Sequence, residues 1–229
     1  SRTMPFVSKV TGNQIIKAGT LLMLGHSLDS IKKTTNYLNS STNKVAIKKA
    51  IFPWSRFPAE DTMLGPEMKA TGEVLGIGRS FGVALNKAYA AAGVEINENE
   101  KGIFVSLSDQ EKPNFIKIVK TYSDLGFKIY STYGTGEYLK NNDINSTIVG
   151  RADETFPTSL TIIQDKLISL VINTPTFANE YTDGWKIRRL SHETGVAVVS
   201  SVREAEAFLK AFLETTKSFE DMEAIQNVS

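Results

Sequence analysis

A strand pattern changes to a helix pattern midway through Phe127-Lys-Ile-Tyr-Ser-Thr-Tyr-Gly-Thr-Gly-Glu-Tyr-Leu139. Residues 127–131 form a short apolar and aromatic run, which is typical of a buried strand. A helical pattern begins at Glu137, and the glycine-containing segment 132–136 joins the two. Backbone N–H groups converge in such a turn, and a helix N-terminus adds partial positive charge. The stretch therefore suits a phosphate or carboxylate, although an ordinary tight turn between strand and helix explains it equally well.

The rest of the second half repeats this alternation of strand and helix. Short apolar runs predict four further strands, at residues 102–107, 145–149, 167–172 and 196–199. Alternation of this kind predicts an α/β fold, in which a parallel five-stranded sheet is flanked by helices. The predicted helix starts are Lys112-Pro113 with Ser108-Asp109 as cap, Thr158, Asp183, and a capping box of Ser201 and Glu204 that opens a helix to about Thr216.

Polar residues follow the predicted strands where each strand ends. Because the carboxyl ends of parallel strands meet at one edge of a sheet, we expect a ligand to bind there. Two cations, three threonines, an amide and a glycine suit a phosphorylated small molecule. The pattern shows neither a metal site nor a nucleophile with its base, so binding without chemistry is the first interpretation. The candidate residues are Lys112, Thr132, Gly134, Thr135, Arg151, Asn173 and Thr174.

Composition indicates a globular protein with a sizeable core, because 41% of its 229 residues are hydrophobic and 22% are charged. Basic residues outnumber acidic ones by 12 to 7 through residue 98, and acidic residues lead by 18 to 14 beyond it. Neither half is basic enough to indicate nucleic acid. The chain has no cysteine, no signal peptide and no run near the roughly 18 apolar residues of a membrane span. We expect a cytoplasmic location.

The first half resembles a piece of a larger α+β unit. A helical pattern at residues 13–24 and a strand-like run at residues 45–52 provide too little apolar sequence for a core of their own. Gly76-Ile-Gly78 with Gly82 is a near match to a dinucleotide fingerprint, but its final spacing is wrong. The polar segment 93–100 is the best boundary, and it divides the chain into domains 1–98 and 99–229.

Two segments of the first half carry a family resemblance. They are Leu64-Gly-Pro-Glu-Met-Lys-Ala-Thr-Gly-Glu-Val74 and Ser1-Arg-Thr-Met-Pro-Phe-Val-Ser-Lys9. The former is similar to the end of the second ATP-grasp region in the large subunit of carbamoyl-phosphate synthase, and the latter is similar to the stretch after that region's Asn-Pro-Arg signature. The second half resembles the methylglyoxal-synthase-like allosteric domain that ends these subunits. The resemblance covers essentially the whole chain, and it implies an incomplete ATP-grasp tail followed by an allosteric domain.

The family resemblance also implies a ligand. In that family the terminal domain binds a nucleotide effector such as UMP, IMP or PRPP. The resemblance assigns the phosphate to Lys112, Thr132 and Thr135, with Arg151 in place of a further lysine. It places Asn173 near the ribose, whereas a threonine contact two residues further on is lost because Pro175 stands there.

For the whole enzyme, the resemblance implies an ATP-dependent ligase of pyrimidine or arginine biosynthesis. Such an enzyme uses ATP and Mg²⁺ (or Mn²⁺) to form carbamoyl phosphate from bicarbonate and glutamine-derived ammonia. The resemblance also implies a glutaminase small subunit as partner and an oligomeric enzyme. Arg2 corresponds to an arginine of the carbamate site, whose metal-binding residues have their counterparts before residue 1. We therefore expect no complete catalytic set, no cofactor and no synthase activity in this polypeptide alone.

Two other functions stay open at this level. A methylglyoxal-synthase-type lyase shares the fold, but Asn173-Thr-Pro stands where those enzymes carry an aspartate that could act as a base. Alternatively, the second half is an unregulated oligomerisation module that uses its acidic helix at residues 201–216.

Overall fold

A computed structural model of the chain describes residues 3–35, 43–57, 62, 72–94, 102–151, 154, 157–174 and 182–215. The chain divides into two compact units, one made of Ser1–Ile51, Gly72–Ala92 and Leu213–Ser229, the other of Phe52–Thr71 and Gly93–Phe212. The predicted domain boundary after residue 98 lies outside the described residues and stays a prediction. No helix within the described ranges is long and apolar enough to cross a bilayer.

The first unit is α+β. Its two strands pair antiparallel from Val45–Gly78 to Ile51–Gly72. Ser27 caps the third helix by accepting the backbone N–H of Ser30 at 3.3 Å. The elements are α1 Thr3–Thr11, α2 Ile15–Met23, α3 Leu28–Thr34, β1 Val45–Ile51, β2 Gly72–Gly78 and α4 Phe81–Ala91.

The glycines of the near-fingerprint serve packing in this unit. A Cβ added at Gly76 would lie 2.0 Å from the carbonyl oxygen of Ala84, and one at Gly78 would lie 2.8 Å from the Ala84 nitrogen. Only glycine at these two positions lets α4 lie this close to β2. Since β2 pairs antiparallel with β1, this segment lacks the parallel strands of a dinucleotide-binding unit.

The second unit is a parallel five-stranded sheet with strand order β5-β4-β3-β6-β7, so the predicted fold class is confirmed. Its elements are β3 Gly102–Ser106, α5 Lys112–Asp124, β4 Lys128–Ser131, α6 Tyr133–Lys140, β5 Thr147–Ile148, α7 Ser159–Gln164, β6 Leu170–Asn173, α8 Asp183–Thr194, β7 Ala197–Val199 and α9 Val202–Thr215. The last three residues of α9, 213–215, belong to the first unit. The 3-10 turn Trp54–Arg56 also belongs to this unit.

The core of the second unit lies around the two central strands. Phe104 on β3 and Val171 on β6 are both 0% exposed, because helices cover both faces of a parallel sheet. Each large apolar side chain buried in this way contributes about 1.5–3 kcal/mol. Tyr122 of α5 packs edge-on against Phe127 at 5.1 Å, and burial raises the pKa of the Tyr122 phenol above its ordinary value.

The start of α6 differs from the sequence prediction. The helix begins at Tyr133 rather than Glu137, so the glycine segment forms its first turn. A helix is possible here because Gly136 faces the sheet, where an added Cβ would lie 2.7 Å from the Ser131 hydroxyl. The predicted cap of α5 is also wrong, since Glu111 is the N-cap residue and makes no side-chain capping bond. The strands are otherwise found where predicted, within one to three residues at each end.

Candidate functional site

The strand order reverses at β3, since β4 and β5 lie on one side of it and β6 and β7 on the other. Ligands of open α/β sheets bind at the carboxyl ends of the strands beside such a reversal. Here the segments that follow β3 and β6 are joined by hydrogen bonds. The Thr174 N–H donates to the Ser106 carbonyl at 3.1 Å, and the Ser108 N–H donates to the Thr174 hydroxyl at 2.7 Å. Thr174 therefore fixes the loop that leads to Lys112.

Asn173 ends β6 beside a buried arginine of α8. Its side-chain oxygen accepts the Nη1–H of Arg188 at 2.6 Å, and its amide nitrogen donates weakly to the Ser106 carbonyl at 3.4 Å. Asn173 is 2% exposed and Arg188 is 5% exposed. A guanidinium thus lies at the predicted edge, in a position that the sequence analysis missed. The available signal was an arginine pair in the middle of a helix, next to Ile187.

The N-terminus of α6 lies at the same edge. A helix leaves the N–H groups of its first turn without intrahelical partners, and here these belong to Tyr133, Gly134 and Thr135. Thr132 is the N-cap residue, and its hydroxyl donates to the Thr135 hydroxyl at 3.2 Å. Thr135 is 1% exposed and accepts the Leu107 N–H at 3.0 Å, so its hydroxyl joins α6 to the loop after β3.

Lys112 connects the two loops. Its Nζ donates to the Gly134 carbonyl at 2.8 Å and to the Asp109 carboxylate at 2.5 Å. The Lys112 side chain is 11% exposed, whereas that of Asp109 is 92% exposed. The Tyr138 ring lies 5.8 Å from the same ammonium group. A nearly buried cation is thus held against the first turn of α6, where positive charge and N–H donors converge.

Arg151 is more loosely placed. Its side chain is 73% exposed, and its Nε lies 3.9 Å from a carboxylate oxygen of Asp183, the first residue of α8. The sequence analysis included no carboxylate among the candidate residues, but the structure pairs each predicted cation with an aspartate. Asp109 accompanies Lys112, and Asp183 accompanies Arg151.

The structure therefore brings six of the seven predicted residues into one hydrogen-bonded edge, while Arg151 contacts α8 from its rim. Lys112, Thr132, Gly134 and Thr135 surround the start of α6, and Asn173 with Thr174 holds the neighbouring loop. Arg2 lies outside the described residues, as does Pro175. Within the described ranges, no three His, Cys, Asp or Glu side chains are grouped as a metal site would require.

Residues 114–200 match the family described as MGS-like domain. The match covers 87 of the 229 residues, all of them in the second unit. The matched segment contains β4, β5, β6 and β7 of the sheet, and with them all the candidate site residues except Lys112, which lies two residues before its first position.

The similarity to known proteins extends beyond the matched segment. The carbamoyl phosphate synthase large chain of a Nostoc species is 36% identical over 99% of this chain and 20% of the relative. The C-terminal section of that large chain from Aquifex aeolicus is 36% identical over 96% of this chain and 43% of the relative. The large chain of Methanocorpusculum labreanum is 38% identical over 95% of this chain and 20% of the relative. The predicted resemblance is confirmed, and the chain spans about a fifth of the complete large chains.

Proposed function

We propose that this chain is the regulatory C-terminal part of a carbamoyl-phosphate synthase large subunit. In this proposal the carboxyl edge of the parallel sheet binds the phosphate of a nucleotide effector such as UMP, IMP or PRPP. The observation that carries it is the Lys112 ammonium, 11% exposed and 2.8 Å from the Gly134 carbonyl at the start of α6. A cation and a helix N-terminus that lie side by side both favour binding of a phosphate at the same place.

The residues of the edge have different roles in binding such a ligand. Lys112 supplies charge, and the first-turn N–H groups of α6 supply donors in fixed directions. The Thr132 hydroxyl is half-buried and can turn from Thr135 to the phosphate. Arg151, exposed at the rim, adds long-range attraction. Thr135, Asn173 and Thr174 are buried and keep the loops in place beneath the ligand.

The larger enzyme is part of the same proposal. Residues 1–98 would belong to an ATP-grasp region, and residues 99–229 would form the allosteric domain. The remainder of the large subunit would supply the sites for ATP and Mg²⁺ (or Mn²⁺), and a glutaminase small subunit would supply ammonia. We place this enzyme in the cytoplasm, as an oligomer serving pyrimidine or arginine biosynthesis. Regulation requires that the effector bind two states of the whole enzyme with different affinity.

Calorimetric titration of the chain with UMP, IMP and PRPP tests the effector site. We expect one ligand to bind, and Lys112→Ala to weaken it at least about tenfold, since a hydrogen bond to a charged group contributes about 1.5–3 kcal/mol. Thr132→Val should weaken it less. Lys120→Ala is the matched control, because Lys120 is an exposed lysine of the same helix.

Two results would contradict the site. One is the absence of binding by all three ligands to a chain whose tryptophan fluorescence shows it to be folded. The other is binding that Lys112→Ala leaves unchanged. The first result would favour an unregulated oligomerisation module, which sedimentation of the same sample would detect.

The lyase alternative has no support at the end of β6. Asn173 and Thr174 occupy that position, and neither side chain is a base that could remove a proton from a triose phosphate. Release of methylglyoxal from dihydroxyacetone phosphate by the purified chain would restore this alternative.

A further inference from the structure

We propose that Asp109 competes with the phosphate of the effector for Lys112. Its carboxylate pairs with the Lys112 ammonium group until the phosphate displaces it. This inference rests on the proposed effector site and adds a residue that sets the affinity and the charge preference of that site. Asp109 lies in the loop between β3 and α5, three residues before Lys112.

The contact places one anion where another is expected. A carboxylate oxygen of Asp109 lies 2.5 Å from Lys112 Nζ, while the Gly134 carbonyl takes a second hydrogen at 2.8 Å. An ammonium group has three N–H donors. The Gly134 bond fixes Lys112 to the start of α6, and Asp109 takes one of the two remaining donors. A phosphate that uses both of these donors must therefore displace Asp109.

The two partners are held very differently. The Lys112 side chain is 11% exposed, whereas that of Asp109 is 92% exposed. Among the described residues, Lys112 is the one partner of the Asp109 carboxylate. The aspartate can turn into water at little cost, because exposed ion pairs contribute little to stability. The lysine cannot follow without leaving Gly134. Displacement therefore removes the carboxylate and leaves the cation in place.

Asp109 also opposes the ligand after it has moved away. It stays in the short loop before α5, so its negative charge remains close to the bound phosphate. Two negative charges close together repel each other. The penalty grows with the negative charge of the ligand. A nucleoside without phosphate gains nothing from Lys112 and meets no competition there. Asp109 should therefore lower affinity for phosphorylated ligands selectively.

Titration of Asp109→Asn tests this role with the same chain and ligands, together with inorganic phosphate. We expect the phosphorylated effector to bind Asp109→Asn about two- to fivefold more tightly than the unchanged chain, the scale of one exposed ion pair. The corresponding nucleoside should bind both proteins equally. When Lys112 is replaced in Lys112→Met, adding Asp109→Asn should give less than half of that gain in affinity, because there is no ammonium group left to compete for.

Asp124→Asn is the control for the change in net charge, because Asp124 is an exposed aspartate at the far end of α5, the helix that follows Asp109. Equal tightening in both variants would assign the effect to net charge and overturn the proposal. Unchanged affinity in Asp109→Asn, with effector binding intact in the unchanged chain, would overturn the role of Asp109 and leave the effector site standing. Failure of both proteins to bind phosphate or any effector would overturn both.

Discussion

The Thr135 hydroxyl accepts the Leu107 N–H at 3.0 Å inside a site where only 1% of the residue is exposed. Thr135→Val keeps the branched shape but removes the acceptor, so the buried N–H of Leu107 loses its partner. We expect the free energy of unfolding to fall by about 1–3 kcal/mol. Denaturant unfolding followed by tryptophan fluorescence measures this, because Trp54 and Trp185 both belong to the second unit.

Thr135→Ser is the control for this change, since it returns the hydroxyl and should recover most of the loss. A loss below about 0.5 kcal/mol in Thr135→Val would contradict the structural role of the hydroxyl. A stable variant that no longer binds an effector would instead show that Thr135 contacts the phosphate directly.

Individual site residues could be predicted from the sequence where topology alone determines their position. Lys112 and Gly134 follow neighbouring parallel strands, so the strand order alone predicts that they lie close together. Asp109 and Arg188 could not be predicted, because their placement depends on side-chain rotamers and on which face of a helix is buried. The role of Thr135 as an acceptor for Leu107 likewise depends on the register of α6 against β3.

At the level of elements, α6 depends on one of its two glycines. A Cβ at Gly136 would lie 2.7 Å from the Ser131 hydroxyl and 2.9 Å from Ile148 Cγ1, so Gly136→Ala should destabilise the protein by about 1–3 kcal/mol. Within the described part of the chain, a Cβ at Gly134 would meet only Lys112 Nζ, at 3.8 Å. Gly134→Ala should therefore leave stability unchanged or raise it by up to about 1 kcal/mol.

The two alanine variants form a matched pair, since each adds one methyl group to the same helix. Their unfolding free energies should differ by more than about 1 kcal/mol in denaturant titrations. Equal values would show that α6 does not pack against β4 and β5 as closely as described. The pair reports on packing, whatever ligand the edge binds.

The elements of the second unit were largely predictable, because apolar runs and helical periods alternate without ambiguity there. The start of α6 was not, since glycines predict a turn when only local propensity is considered. Because this segment packs against β4, it forms the first turn of a helix instead. The helix at residues 3–11 was also missed, because the nine-residue segment TMPFVSKVT has no buried residue and thus no clear apolar face.

On the scale of the whole molecule, we expect the purified chain to form no carbamoyl phosphate from ATP, bicarbonate and ammonia. The chain spans about a fifth of the complete large chains it resembles, and phosphoryl transfer needs carboxylates that hold Mg²⁺ against the phosphates of ATP. A coupled assay of ADP release measures this, with the complete Nostoc large chain as positive control. A rate above background that requires bicarbonate would contradict the expectation.

The first unit is built from segments that are far apart in the chain. The Gly82 N–H donates to the Glu214 carboxylate at 2.6 Å, although 132 residues separate them. A ribosome adds about 5–20 residues per second, so on the order of ten seconds pass between the synthesis of these two residues. During that interval the parallel sheet is made in full. The first unit thus receives its α9 residues only after the whole parallel sheet has been synthesised.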